Sequence, residues 1–179
     1  MVASPPFKIA VTGVESTGKT TLASSLAQAL GGAFVPECAR FDAQVLANQV
    51  GLSTLSRLGR EQYEACREAE RRETSEGLTC IVSDSDATVL QLWGEHVFNH
   101  VPEGLGPLED WPDLVLLCTP NIPWEADPLR SMPSLEDRLA LHQRYEVAIA
   151  HHPKTAVIDA QGQEKRLDQA VRAFHKFFG

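Results

Sequence analysis

One eight-residue segment restricts this chain more than any other: Gly13-Val14-Glu15-Ser16-Thr17-Gly18-Lys19-Thr20, a complete GxxxxGKT. The apolar run Phe7 to Val11 precedes it, and Lys19 to Leu30 follows with Leu22, Leu26 and Leu30 at four-residue spacing. That is a buried strand, a glycine turn and an amphipathic helix, the context a phosphate-binding loop requires. Glycines let the loop wrap with its backbone N–H groups turned inward on phosphate oxygens, and the helix N-terminus adds partial positive charge. Lys19 then meets the β- and γ-phosphates, and the Thr20 hydroxyl is placed to ligate Mg²⁺. The nucleotide-binding set is Gly13, Glu15, Ser16, Thr17, Gly18, Lys19, Thr20 and Thr21, and the expected ligand is a nucleoside triphosphate. No NKxD-type guanine motif follows a later strand, since the fourth ends in CTPNIP, so ATP is the expected nucleotide.

The rest of the chain repeats the strand–helix alternation. Gly31-Gly32 stops the first helix, and Ala33 to Val35 is a short second strand ending at Pro36. Ser53 to about Glu76 reads as a long charged helix with Arg57/Glu61, Arg60/Glu64 and Glu68/Arg72 pairs, ended by Gly77. Its inward stripe is Leu55, Leu58, Cys66 and Ala69. Leu78 to Ser83 is a third strand running into Asp84, Ala87 to Phe98 a helix, and Val101 to Pro112 an irregular stretch. Leu114 to Cys118 is the fourth strand, Leu135 to Ala150 a helix, Thr155 to Ile158 the last strand and Glu164 to Phe178 the last helix. Alternation of this kind predicts a parallel sheet covered on both faces. The expectation is a single three-layer α/β P-loop domain over residues 1–179, with about five strands and a short lid.

Composition narrows the function. A chain of 179 residues supports one domain of ordinary size. With 16 basic and 24 acidic residues the net charge is −8, which disfavours a nucleic-acid partner and leaves a small metal-complexed anion acceptable. No apolar run reaches the ~20 residues of a membrane span. The opening MVASPPFKIAVTG lacks a basic leader with a long apolar stretch, so a secretory signal is not expected. Cys38, Cys66, Cys80 and Cys118 are scattered, which reads as reduced thiols in a cytoplasmic protein. Neither His96/His100 nor His151-His152 has the spacing of a metal site, and Trp93/Phe98 and Phe174/Phe177/Phe178 read as core stripes.

In open α/β sheets ligands bind beyond the carboxyl ends of the strands. After the second strand come Glu37 and Arg40, which can serve an acceptor or simply form an i,i+3 ion pair. After the third come Asp84 and Asp86, read as two carboxylates on the same side of an extended segment. Asp84 stands in a Walker-B-like position beside the metal, while Asp86 can bind substrate or cap the next helix. After the fourth come Asn121, Trp124 and Asp127, followed by Arg130 and Arg138. Trp124 can meet the acceptor ring or plug the Pro-rich turn, and the two arginines can stabilise transferred phosphate or lie on the surface. All these clusters are expected to meet at the phosphate loop.

The ordered segments IAVTGVESTGKTTLASSLAQAL, FVPECAR, VSDSDATVLQLWGE, PDLVLLCTPNIPWEADPLR, EDR and LHQRYEVAI together resemble the ribosylnicotinamide kinase domain of NadR-type proteins. The resemblance runs from about Lys8 to the last helix. It implies a nucleoside-monophosphate-kinase-like fold and transfer of the γ-phosphoryl of ATP, with Mg²⁺, to the 5′-hydroxyl of nicotinamide riboside. Glu37 or Asp84 would take the hydroxyl proton, Asp86 and Arg40 would hold the ribose, Trp124 would stack on the pyridinium ring, and Arg130 and Arg138 would close over the phosphates. Three positions depart from the family pattern: Cys38 in PE-x-AR, Ser85 in D-x-D and Pro128 before Leu129. Bifunctional members carry an adenylyltransferase domain before the kinase, an activity this resemblance does not extend to the present chain. The alternatives are a kinase for another nucleoside-like acceptor and a P-loop ATPase or regulatory module without acceptor transfer.

Overall fold

In a computed structural model describing residues 5–76, 79–126 and 130–179, five parallel strands form one sheet in the order β2-β3-β1-β4-β5. The strands are β1 Phe7–Thr12, β2 Ala33–Val35, β3 Cys80–Asp84, β4 Leu114–Cys118 and β5 Thr155–Ile158. The helices are α1 Lys19–Leu30, α2 Ala43–Leu46, α3 Leu52–Glu76, α4 Ala87–Phe98, α5 Gly106–Glu109, α6 Leu135–Ile149 and α7 Gln163–Phe178. A 3-10 turn, Cys38–Phe41, joins β2 to α2. Gly77, Leu78, Asp127 and Pro128, all singled out from the sequence, lie outside the described residues.

Each strand sends alternate side chains to opposite faces. On one face Ile9, Val11, Val82, Leu114, Leu116 and Ile158 pack with Leu22 and Leu26 of α1 and Phe174 of α7. On the other, Val115 and Leu117 meet Leu92, Tyr145 and Ile149, while Ile81 and Val35 meet Cys66 and Trp111. Both faces are therefore covered, as an all-parallel sheet requires. The C-terminal phenylalanines are core: the Phe7 ring stacks on Phe178 at 4.3 Å and meets the Phe174 edge at 5.6 Å. On α3 the Arg57–Glu61 and Arg72–Glu68 pairs close at 2.9 and 3.0 Å.

Two sequence expectations need correction. The stretch from Val101 to Pro112 is not irregular throughout; it contains α5, and Leu105, Leu108 and Trp111 are buried. Leu105 and Leu108 join Leu55, Leu58, Ala87 and Leu90 in a satellite core, so a Pro/Gly-rich composition concealed a packing element. The segment after Asp84 is not extended throughout either: Asp86 is extended, but Ser85 is not. Ser85 has φ +111°, a conformation that costs a non-glycine residue about 1–3 kcal/mol. Its N–H bonds the Val11 carbonyl at 3.1 Å, and its own carbonyl accepts the Ser83 hydroxyl at 2.9 Å. The turn gives Asp84 and Asp86 separate environments.

The phosphate loop leaves β1 through Gly13, whose φ is +135°. A Cβ there would lie 2.6 Å from the Cys118 carbonyl oxygen at the end of β4, so both backbone and space demand glycine. Gly13→Ala is expected to cost at least about 1–3 kcal/mol from the backbone alone. At ~2–4 °C per kcal/mol for a chain of this length, the melting temperature should fall by several degrees, as calorimetry can read. An unchanged melting temperature would contradict this close approach.

Candidate active site

The register of β1 against β3 sets Val11 beside Asp84, so the loop beginning at Gly13 and the Asp84 carboxylate emerge together from two neighbouring strands. The loop is bent at Ser16 (φ +56°) and at Gly18 (φ +74°), which precedes α1 as its cap residue. No side chain caps α1, leaving its first N–H groups available to an anion. The Lys19 Nζ donates to the Val14 carbonyl at 2.8 Å, folded over the loop. Thr17 bonds the same carbonyl through its hydroxyl at 2.9 Å.

Glu15 and Ser16 tie this loop to the segment after β4. The Glu15 carboxylate accepts from the Trp124 indole N–H at 3.1 Å and from the backbone N–H groups of Ser131 (2.9 Å) and Met132 (2.6 Å). The Ser16 hydroxyl accepts from Glu125 N at 3.1 Å. Three groups of a lid-like segment thus converge on one loop carboxylate, a link no local sequence pattern announces.

Beside the loop opens a cavity of about 750 Å³, within the range of small-molecule sites. Its polar wall includes Lys19, Glu37, Arg40 and Arg130; its apolar wall includes Trp93 and Tyr145. Glu37 and Arg40 do form an ion pair, Oε2 to Nε at 3.3 Å, but on this wall rather than on a solvated face. Burial pushes the Glu37 carboxyl above its ordinary range; Lys19 pulls it back, Asp84 pushes it up further and Arg40 lowers it. Burial likewise holds the Tyr145 phenol well above its usual value, reinforced by Asp86 and Glu37, so it remains a neutral donor.

Asp84 is fully buried, and neither carboxylate oxygen has a hydrogen-bond partner. A buried carboxylate without donors is costly unless something positive arrives. That orphaned pair of oxygens, at the end of the strand beside the one that leads into the loop, fits a magnesium ion. Among the described residues no group of three or more His, Cys, Asp or Glu is placed to hold a metal. Magnesium carried on nucleotide phosphates needs only one or two protein oxygens.

Asp86 is occupied internally: its Oδ1 accepts from the Thr12 hydroxyl at 2.7 Å and caps α4 through Val89 N at 3.2 Å. Burial raises its carboxyl, offset by hydrogen bonds from Thr12, Thr88 and Val89. The fourth-strand cluster divides. The Asn121 Oδ1 accepts from Arg166 at 2.6 Å, and the Asn121 amide donates to the Asp159 carbonyl. Neither Asn121 nor Trp124 is on the wall of the large cavity. Arg130 lines both that cavity and a smaller one of about 270 Å³, whose wall also includes Ser16, Gly18, Gln163 and Arg166. Arg138 is 3% exposed, its Nε and Nη1 have no hydrogen-bond partner, and it is on the wall of neither cavity. Sequence reading missed Trp93, Tyr145 and His96 as cavity residues and Arg166 as a loop contact.

The sequence matches the AAA domain over residues 8–166. The chain belongs to that P-loop family. A search of curated proteins by sequence gives no match. Among solved structures the chain is similar to NadR protein in complex with NR, at 22% identity and TM-score 0.71, over 96% of this chain and 49% of that one. NadR in complex with NAD and AMP-PNP is similar at 22% identity and TM-score 0.70, over 97% and 50%. Thymidylate kinase from Candida albicans is similar at 12% identity and TM-score 0.67, over 96% and 92%. The present chain spans about half the length of the NadR structures it matches. These likenesses show a P-loop kinase fold. Among the described residues no helix is long and apolar enough to cross a membrane.

Proposed function

We propose that the protein is an ATP-dependent kinase that phosphorylates the 5′-hydroxyl of nicotinamide riboside. The observation that carries the reading is the Glu37 carboxylate, set on the wall of a nucleoside-sized cavity that shares Lys19 with the phosphate loop. The solved NadR complex with nicotinamide riboside has the same fold and supports this acceptor.

The residues divide the work. Loop N–H groups from Gly13 to Thr20 hold the triphosphate, and Lys19 exchanges its Val14 carbonyl for phosphate oxygens. Magnesium, held by Thr20 and Asp84, would supply charge neutralisation on the β- and γ-phosphates. The substrate oxygen bonds to the γ-phosphorus as the bond to the β–γ bridging oxygen breaks, releasing ADP. The hydroxyl proton passes to Glu37, whose raised pKa improves it as a base. Arg40 orients that carboxylate, and Arg130 and Arg138 carry charge to the transferring phosphoryl group.

Trp93, half-buried with its neighbours in the satellite core, replaces Trp124 as the aromatic offered to the ring. An electron-rich indole face attracts the fixed positive charge of the pyridinium with about 0.5–2 kcal/mol. Trp93→Ala should raise KM for nicotinamide riboside roughly 2- to 30-fold while leaving KM for ATP unchanged. Equal weakening of both substrates in steady-state kinetics would remove Trp93 from the acceptor site.

A further inference from the structure

Arg166, in the first turns of α7, is a buried cation with an unusual set of partners. It is 4% exposed. Its Nε donates to the Ala160 carbonyl at 2.9 Å, and its Nη2 to the Thr119 carbonyl at 2.9 Å and to Asn121 Oδ1 at 2.6 Å. Its Nη1 donates to the carbonyl of Thr17, in the middle of the phosphate loop. Every acceptor is neutral. Among the described residues Arg166 forms no ion pair, although the chain as a whole carries an excess of acids.

A guanidinium does not deprotonate in a protein, so this charge cannot be shed as a buried lysine's can. Burying it without a countercharge is unfavourable, and carbonyl dipoles offset only part of the cost. The placement explains why the charge is kept. A Cβ on Gly18 would lie 3.9 Å from Nη1, so the guanidinium sits directly behind the loop that faces the phosphates. It also lines the smaller cavity together with Gly18, Thr21 and Arg130.

We infer that Arg166 is a positioning residue for the donor triphosphate: it fixes the Thr17 carbonyl, and so the inward aim of the loop N–H groups, and its own countercharge is the incoming phosphate chain. This rests on the proposed binding of ATP. The charge acts from behind the loop, in a part of the protein sheltered from water, where screening is weak. Its effect must therefore grow with each phosphate added to the ligand, whereas a purely packing role would affect every ligand alike.

Calorimetric titration of adenosine, AMP, ADP and ATP into wild type, Arg166→Met and Arg166→Lys separates the two. The expected result for Arg166→Met is an adenosine affinity within twofold of wild type, a progressive loss through AMP and ADP, and at least a tenfold loss for ATP. Arg166→Lys, which restores charge without the fork, should recover part of the ATP affinity. An equal loss for adenosine and ATP, or no loss at all, would overturn the inference. Should Arg166→Met fail to fold, ¹⁵N spectra of the wild-type arginine side chains decide it. Inorganic triphosphate alone should shift the Arg166 resonances, and their indifference to bound triphosphate would overturn the inference. A wild-type protein that binds no ATP would instead sink the proposed function and this inference with it.

Discussion

Lys19→Ala should leave a folded protein whose phosphoryl transfer is slower by roughly 10²–10³-fold or more, the effect of removing one preorganised electrostatic partner of a transition state. The fold should survive because Lys19 contributes little to it. Its ammonium makes one hydrogen bond, to the Val14 carbonyl, in a partly exposed position. Such a bond is worth about 0.5–1.5 kcal/mol. By contrast, charge building on the β- and γ-oxygens during transfer has no other side-chain cation within the loop sequence from Gly13 to Thr20. Single-turnover kinetics and a melting curve on the same preparation check both halves. Turnover near the parent rate in folded Lys19→Ala would remove the loop from the chemistry.

Glu37→Gln should reduce turnover by about 10²–10⁴-fold, the usual contribution of a general base, with nucleotide affinity close to wild type. The pH dependence gives a second signature. Burial raises the Glu37 carboxyl, so the acid limb of kcat/KM should lie above the ordinary carboxylate range and vanish in Glu37→Gln. Stability follows with the opposite sense. Because the folded state holds this proton more tightly than the unfolded chain, the group's stabilising contribution is complete below the unfolded pKa, near 4.3. It is lost as pH rises through the folded value, so Glu37→Gln should flatten that decline in melting temperature. Asp84→Asn should differ by weakening the magnesium dependence of nucleotide binding, since its oxygens do not line the acceptor cavity. If Glu37→Gln retains full activity and an unmoved acid limb, the proton goes elsewhere.

Local signals made the phosphate loop and its flanking strand and helix legible in the sequence. Strand β1, the GxxxxGKT turn and α1 are contiguous, and each announces itself by periodicity or glycine spacing. The cavity proposed for the acceptor is lined by distant elements, and there the sequence was ambiguous. Trp93 shares α4 with the buried Leu90 and Leu92, so helical spacing alone reads it as core; only the three-dimensional arrangement shows that it also lines the cavity beside the phosphate loop. Tyr145 has the same double character on α6. Trp124, placed by its position after β4, is drawn away by Glu15, a contact across 109 residues. Asp86 looked equivalent to Asp84 until the positive φ of Ser85 separated them. Arg166 reaches Thr17 across 149 residues, and nothing near either position marks the pair.

The proposed reaction transfers one phosphoryl group from ATP to a cationic nucleoside. Intact mass spectrometry of the products formed from ATP with nicotinamide riboside, uridine, cytidine and adenosine, each in separate reactions, tests it most directly. ADP together with nicotinamide mononucleotide is expected, formed faster than any other nucleotide. Preference for a neutral nucleoside, or hydrolysis of ATP with no phosphorylated nucleoside, would contradict it.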